Sequence, residues 1–262
     1  MMPSRIEATR VVRPDGTVTA GERAVAIEAP VAIEVDGIGY AVMMMTPRDL
    51  DAFATGFMLT ERLADTPADI VDIDAFLAPA GWIVRVALAE RCRGRIHDRI
   101  RHRTSDTSCG LCGIASLEQL VRPVAQAAPR PDIAPGAIFA ALARLRDHQP
   151  INAATGAAHA AAACAADGSI LTAMEDVGRH NALDKLIGRQ ATAPPAAFAL
   201  VTSRISFEMV DKALVAAMPL LAGISAPTSL AIDHARTHGL TLVALARTDA
   251  MLVLNDPWGV FA

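Results

Sequence analysis

From about residue 158 onward the chain alternates short apolar runs with segments of helical period, and this alternation restricts the fold more than any other feature. Candidate strands run from Ala158 to Ala165, Ser169 to Met174, Ala197 to Thr202, Leu221 to Ser225, Leu240 to Ala246 and Met251 to Asn255. Helices from about Asn181 to Arg189, Phe207 to Met218 and Ser229 to His238 fall between them. Strands interleaved with helices predict an α/β domain, a sheet covered by helices on its faces. In such sheets ligands bind at the carboxyl ends of strands and at helix N-termini, which suit anions.

That rule turns the polar strand-to-helix junctions into site candidates. Glu175 to Lys185 reads EDVGRHNALDK, a dense group of titratable residues in which His180 can serve as a general base, a phosphate donor or a structural histidine. Thr202 to Glu208 repeats the pattern with Arg204 and a candidate N-cap, Ser206, and Ser225 to Ser229 repeats it again. The last two strands enclose Leu245, Ala246, Arg247, Thr248, Asp249 and Ala250, with Arg247 placed to meet an anion. Three such turns can line a single rim. The competing reading is that the EDVGRHN residues pair with one another and anchor the junction.

The first half is less regular. Two apolar runs between Ala29 and Met45 flank Asp36-Gly37-Ile38-Gly39, a hairpin signal. Thr46-Pro47-Arg48-Asp49 reads as a capped helix start, and Leu50, Phe53, Ala54, Phe57 and Met58 continue at helical spacing to about Ala64. A Pro- and Asp-containing connection leads to a strand from Trp82 to Leu88. Next, in RCRGRIHDRIRHR, Arg91, Arg93, Arg95, His97, Arg99, Arg101 and Arg103 all fall on odd positions, which in an extended chain share one face. This predicts either a charge-protected edge strand or an electropositive surface leading to Cys109. The proline-rich stretch from Val121 to Pro135 marks a boundary, giving a small α+β domain over 1–125 and an α/β domain over 126–262. The larger one opens with an amphipathic helix from about Pro135 to Asp147.

Composition excludes several classes. With 52% hydrophobic and 20% charged residues the chain is globular rather than disordered. Four cysteines with one close pair do not make a disulfide scaffold, and the N-terminal residues show no apolar signal core, so the sequence predicts a cytoplasmic protein. The uncharged stretch from Ala213 to Ile232 contains Pro219, Gly223 and Pro227, which fit helix, strand and helix better than a membrane span. Of 24 Lys and Arg residues only Lys185 and Lys212 are lysine, so cationic recognition falls to arginine.

The chemistry-bearing stretch is TSDTSCGLCGIASLE, Thr104 to Glu118, where Cys109 and Cys112 are followed by Gly110 and Gly113. Zinc is disfavoured: Cys92 and Cys164 are isolated, Ser108 precedes the pair, and His159 is followed by alanines instead of the H-x-E of zinc deaminases. A thioredoxin-like dithiol belongs at a helix N-terminus early in a βαβ unit, which this position does not match. A persulfide relay, in which a thiolate takes the terminal sulfur of a donor persulfide, requires an accessible loop, a basic field and an acceptor site. The sequence offers a candidate for each.

TSCGLCG at Thr107 to Gly113, TPRDL with GF and ERL between Thr46 and Leu63, EDVGRHNALDK, SRISFE at Ser203 to Glu208 and SAPTSLA at Ser225 to Ala231 together resemble the FdhD family. The likeness is ordered and covers about Val31 to Asn255. It implies a sulfur carrier or sulfurtransferase needed for formate dehydrogenase activity. On that resemblance Cys109 takes persulfide sulfur from a cysteine desulfurase, with Cys112 as its partner. The sulfur then passes to the molybdenum of a bis(molybdopterin guanine dinucleotide) cofactor bound as substrate. The family's cofactor segment falls on Leu245 to Ala250, with Arg204 and His180 the further candidates, and a guanine nucleotide such as GDP is the expected analogue. The resemblance further implies a cytidine-deaminase-like three-layer α/β domain joined to the smaller one, a homodimer, no resident metal, and no nucleic-acid or membrane partner. Arg62, Ser203 and Thr248-Asp249-Ala250 depart from the family's usual residues, the last bearing on the cofactor contacts. A cofactor-presenting chaperone without sulfur chemistry and a dithiol redox protein are the alternatives.

Overall fold

The computed structural model describes residues 3–100, 127–134 and 136–262, with the side chains of 98–100 left aside. Cys109, Cys112 and the expected boundary at 125/126 lie outside the described residues, as do Arg101 and Arg103.

The α/β expectation describes the second half well. Strands β7 (His159–Cys164), β8 (Ile170–Asp176), β9 (Phe198–Val201), β10 (Leu220–Gly223), β11 (Thr241–Ala244) and β12 (Leu252–Asn255) form one six-stranded sheet. Their order is β12-β11-β10-β9-β7-β8. The β9, β10 and β11 strands are parallel, while β7 runs antiparallel to both its neighbours and β12 antiparallel to β11. Strand β7, HAAAAC, shows why the sheet is covered on both sides. Ala161 and Ala163 join one apolar core with Leu183, Leu186, Met209 and Val210, and Ala162 and Cys164 join another with Ile138, Ala141 and Leu145. Helices α5 (Arg179–Gln190), α6 (Phe207–Val215) and α7 (Ser229–Thr237) therefore lie on one face and α3 (Ala137–Leu145) on the other, with the short α4 (Pro150–Thr155) after it. Period-two alternation sends successive small side chains to opposite layers. The Ala213 to Ile232 stretch is the end of α6, β10 and the start of α7, and no helix among the described residues is long and apolar enough to cross a membrane.

A second sheet, β4-β3-β6-β5, carries the first half: β3 (Ala29–Val35), β4 (Ile38–Met45), β5 (Ile70–Ala78) and β6 (Gly81–Leu88). Its core joins Val31, Ile33, Val84 and Val86 to Phe53, Phe57 and Met58 of α1 (Leu50–Thr60). Strand β5 lies within the stretch read from sequence as a connection, because its aspartates at 72 and 74 obscure the alternation. A two-stranded ribbon, β1 (Ser4–Val12) and β2 (Val18–Ala26), precedes this sheet and was likewise not expected.

Two local expectations are corrected. As far as Ile100 the arginine run is not extended: Glu90–Ile100 is helix α2, with Cys92 and Ile96 buried against the small core one turn apart. Arg91 bonds Asp69 at 2.7 Å, Arg95 bonds Asp65 at 2.7 and 2.8 Å, and Arg93 bonds the Leu88 carbonyl at 3.1 Å. These three arginines are thus neutralised or tethered, and do not form a free basic face. Arginine is a good helix former and the run holds no β-branched residue before Ile96, so the period-two charge pattern is incidental to its fold. The second correction concerns Thr46, which caps nothing. Helix α1 starts at Leu50 behind Asp49 in the left-handed region, with no side-chain cap bond. Thr46 serves the contact with the large sheet instead.

That contact is polar at its centre and closely packed beside it. Lys185 Nζ donates to Asp176 Oδ2 at 2.6 Å, the Thr46 carbonyl at 2.9 Å and the Glu175 carbonyl at 3.4 Å. Asp176 also accepts from the Thr46, Gly178 and Asn181 N–H groups, and Asn181 reaches the Met44 carbonyl. Similarly, Lys212 Nζ reaches both Asp184 oxygens at 2.8 Å and the Thr60 hydroxyl at 2.9 Å. Each ammonium has three donors and three acceptors, so both lysines of the chain are buried fully satisfied.

At the edge of this interface Arg62 grips Asp211 with two bonds of 2.8 Å, and His234 stands 3.4 Å from the same carboxylate. Burial opposes the charge of Asp211, but the bonds from Arg62 and His234 outweigh it and hold its carboxyl well below the usual range. A depressed folded-state pKa gives stability that is fully present above the unfolded value of about 4 and lost as pH falls through the folded one. The stability gap between wild type and Asp211→Asn is therefore expected to be widest near neutrality and to shrink progressively in acid, as measured by urea unfolding from about pH 7 to pH 2.

Candidate functional site

The carboxyl ends of β9, β10 and β11 are bound into one rim by backbone hydrogen bonds. Ile205 N–H donates to the Ala226 carbonyl at 3.2 Å and Thr228 N–H returns to the Ile205 carbonyl at 2.9 Å, joining the turns after β9 and β10. Leu245 N–H donates to the Ser225 carbonyl at 3.2 Å and Ala246 N–H to Gly223 at 3.0 Å, joining the turn after β11. The Arg247 guanidinium bonds the Ile224 carbonyl, and its N–H closes the Arg247–Ala250 turn on the Ala250 carbonyl at 2.8 Å. Leu245 takes a left-handed φ of 49° to enter this turn, and Arg247, Thr248, Asp249 and Ala250 are exposed beyond buried Ala246. The expected cofactor segment thus sits on the same rim as exposed Arg204.

A second cationic group adjoins it. Because β7 is antiparallel to β9, its first residue, His159, lies at the end where β9 finishes and opposite Asp176. Burial lowers the pKa of His159, and its neighbours Arg179, His180 and Arg204 lower it further against the opposing charge of Asp176, so this imidazole is held in its neutral form at neutral pH. His180, in the first turn of α5, stands 2.9 Å from the Glu208 carboxylate of α6. Arg179 Nε and Ser206 Oγ are buried here with no hydrogen-bond partner among the described residues. Ser206 occupies the N-cap position of α6, as read from sequence, yet makes no side-chain cap bond. Orphaned buried donors are costly unless something fills them. Beside guanidinium groups and two helix N-termini, an anion with several oxygens fits this donor set.

The EDVGRHNALDK stretch divides in two. Asp176, Asn181, Asp184 and Lys185 are buried and anchor the large sheet to the small one, while buried Glu175 caps α4 by accepting the Ile151 and Asn152 N–H groups at 2.8 Å. Only Arg179 and His180 turn to the rim. Arg179 and His159 were not singled out as binding residues from sequence. His159 opens a strand rather than ending one, and only the antiparallel placement of β7 brings it here.

Elsewhere, Cys164 is buried and its thiol is pushed up to about 12, which makes it inert. Asp65, Asp69 and Cys92 bring possible ligand atoms within 4.8 Å of one another. However, Arg91 and Arg95 already occupy those carboxylates, and Asp69 also accepts the Asp65 and Thr66 N–H groups. The set is an ion-pair cluster.

A six-stranded and a four-stranded sheet, with a two-stranded ribbon, define a mixed α/β protein whose parallel strand ends carry a rim bearing Arg204 and Arg247. The chain belongs to the FdhD/NarQ family, whose model matches residues 26–260. It is 44% identical over 261 residues to the sulfur carrier protein FdhD of Bordetella parapertussis, covering 97% of this chain and 95% of that one. It is 46% identical over 240 residues to the protein of the same name from Xanthomonas campestris, covering 89% and 84%. A crystal structure described as that of a formate dehydrogenase accessory protein from Desulfotalea psychrophila superposes with a TM-score of 0.76 at 26% identity, covering 98% and 99%.

Proposed function

We propose that this protein is a cytoplasmic sulfur carrier that serves formate dehydrogenase by moving persulfide sulfur through Cys109 to the molybdenum of a bis(molybdopterin guanine dinucleotide) cofactor. Family membership supports the sulfur chemistry, and the observation that carries the acceptor side is the cationic rim with its orphaned Arg179 Nε. In this reading Arg204, Arg247 and Arg179 hold the dinucleotide phosphates, His180 and the turn from Leu245 to Ala250 orient them, and the protein acts as a homodimer.

The sulfur steps balance as nucleophilic displacements. The Cys109 thiolate attacks the outer sulfur of a cysteine desulfurase persulfide, and the desulfurase cysteine leaves as a thiolate with the electron pair of the broken S–S bond. On delivery the Cys112 thiolate attacks the Cys109 sulfur. The outer sulfur departs to molybdenum as sulfide with that bond's electron pair, leaving a Cys109–Cys112 disulfide that a thiol reductant reopens with two electrons.

Incubation with a cysteine desulfurase and sulfur-labelled cysteine, followed by mass mapping, is expected to place the bound sulfur on Cys109. Cys109→Ala is expected to carry none and to leave formate dehydrogenase inactive, whereas full activation by this variant, as a cofactor-presenting chaperone would give, refutes the relay. For the rim, GDP titration is the direct measurement. Arg204→Ala, Arg247→Ala and His180→Ala are each expected to weaken GDP binding about tenfold, the worth of one charge-assisted hydrogen bond. Undiminished affinity in all three removes the rim from the mechanism.

A further inference from the structure

The β1–β2 ribbon has one face whose chemistry nothing above explains. The register pairs Ile6 with Ala24, Ala8 with Glu22, Arg10 with Ala20 and Val12 with Val18, so these eight side chains share a face. Six are apolar, and Ile6, Val12 and Val18 are 64%, 69% and 56% exposed. Arg5, Glu7, Thr9, Val11, Thr19, Gly21, Arg23 and Val25 form the other face. That second face is the one turned to the body of the protein, since Arg23 donates to the Thr155 carbonyl of α4 at 3.1 Å. The more apolar face is therefore the outward one, the reverse of what burial demands of a finished surface.

A two-stranded ribbon has little stability in water by itself, and nine-residue strands extend it to an arm of about 30 Å. On the apolar face the only charges are Arg10 and Glu22, one of each sign in adjacent cross-strand pairs, and neither forms an ion pair among the described residues. In a two-fold interface residue i of one copy meets residue j of the other and the reverse. A face with one cation, one anion and otherwise apolar side chains is complementary to itself under that operation, with Arg10 meeting Glu22 of the partner subunit in both places.

We propose that the outward face of the β1–β2 ribbon is the surface through which two copies of this chain associate, packed face to face with reciprocal Arg10–Glu22 pairs. This rests on the homodimer of the reading above and assigns it a location. The test is light scattering and sedimentation equilibrium on the full-length protein. Wild type is expected at twice the chain mass. Val12→Asp is expected to weaken association about a hundredfold by burying an unpaired charge, while Val11→Asp, on the opposite face, leaves it unchanged. Arg10→Glu and Glu22→Arg singly are expected to weaken it about tenfold, and the double variant to recover wild-type affinity. A dimeric wild type whose affinity Val12→Asp does not alter overturns the ribbon interface alone, as does a double variant that fails to recover. A monomeric wild type overturns the homodimer with it. Sulfur loading of Cys109 is read separately and reports on the relay.

Discussion

Lys185→Ala is expected to lower the free energy of unfolding by about 3–5 kcal/mol, the cost of leaving a buried carboxylate without its counter-charge. Both partners are wholly inaccessible, at 0% exposure, and 2.6 Å apart. The loss reaches further than the pair, because the ammonium also holds the Thr46 and Glu175 carbonyls, one from each sheet. Removing both charges does not mend it. Asp176 also accepts N–H groups from Thr46, Gly178 and Asn181, so Asp176→Ala/Lys185→Ala leaves three donors unfilled. Urea unfolding at neutral pH of wild type, both singles and the double checks this. A double variant restored to wild-type stability would show that the pair contributes no more than an apolar filling would.

Gly56→Ala and Gly188→Ala are expected to be worse, each costing more than about 4 kcal/mol or preventing soluble folding. Helices α1 and α5 touch backbone to backbone at these glycines. A Cβ on Gly56 would stand 1.8 Å from the Asp184 carbonyl oxygen, and one on Gly188 would stand 1.9 Å from that of Ala52. Both obstacles are main chain, so relief requires the helices to separate, which would pull Lys212 and Thr60 from Asp184. Alanine is otherwise favoured over glycine in a helix by about 1 kcal/mol, so the sign of the effect identifies its cause. Gly94 in α2 supplies the control. Nothing lies within 4 Å of its Cβ position, and Gly94→Ala is expected to be neutral or slightly stabilising. Thermal unfolding of the three variants side by side makes the comparison.

The anchoring role of these residues bears on how the site is read. Much of EDVGRHNALDK would be scored as catalytic from its residue types, yet four of its side chains, Asp176, Asn181, Asp184 and Lys185, hold the two larger sheets together, and Glu175 holds α4. Substituting them would abolish function by unfolding the junction, with no bearing on chemistry. Arg179, His180, Arg204 and Arg247 are the positions at which loss of binding without loss of stability is informative.

What the sequence determined by itself is the part of the protein set by local period and by neighbours close along the chain. The six strands of the large sheet and the helices between them were legible because each carries its own apolar pattern, and each strand-to-helix turn announces itself by small polar residues. The hairpin from Ala29 to Met45 was legible for the same reason. Helix α2 was not, because a charge on every second residue mimics a strand, and the buried Cys92 and Ile96 that orient it are only two positions in the run. Strand β5 was hidden by its aspartates, and Thr46 was read as a cap because its true partners, Asp176, Val177 and Lys185, lie some 130 residues away. Tertiary structure alone decided the rest: that β7 runs against β9 and so brings His159 to the rim, that three turns close into one edge, and that both lysines are spent on the contact between sheets. Those outcomes depend on strand order and helix approach, and both are fixed by which apolar faces fit together across the whole molecule, information that no local stretch of sequence carries.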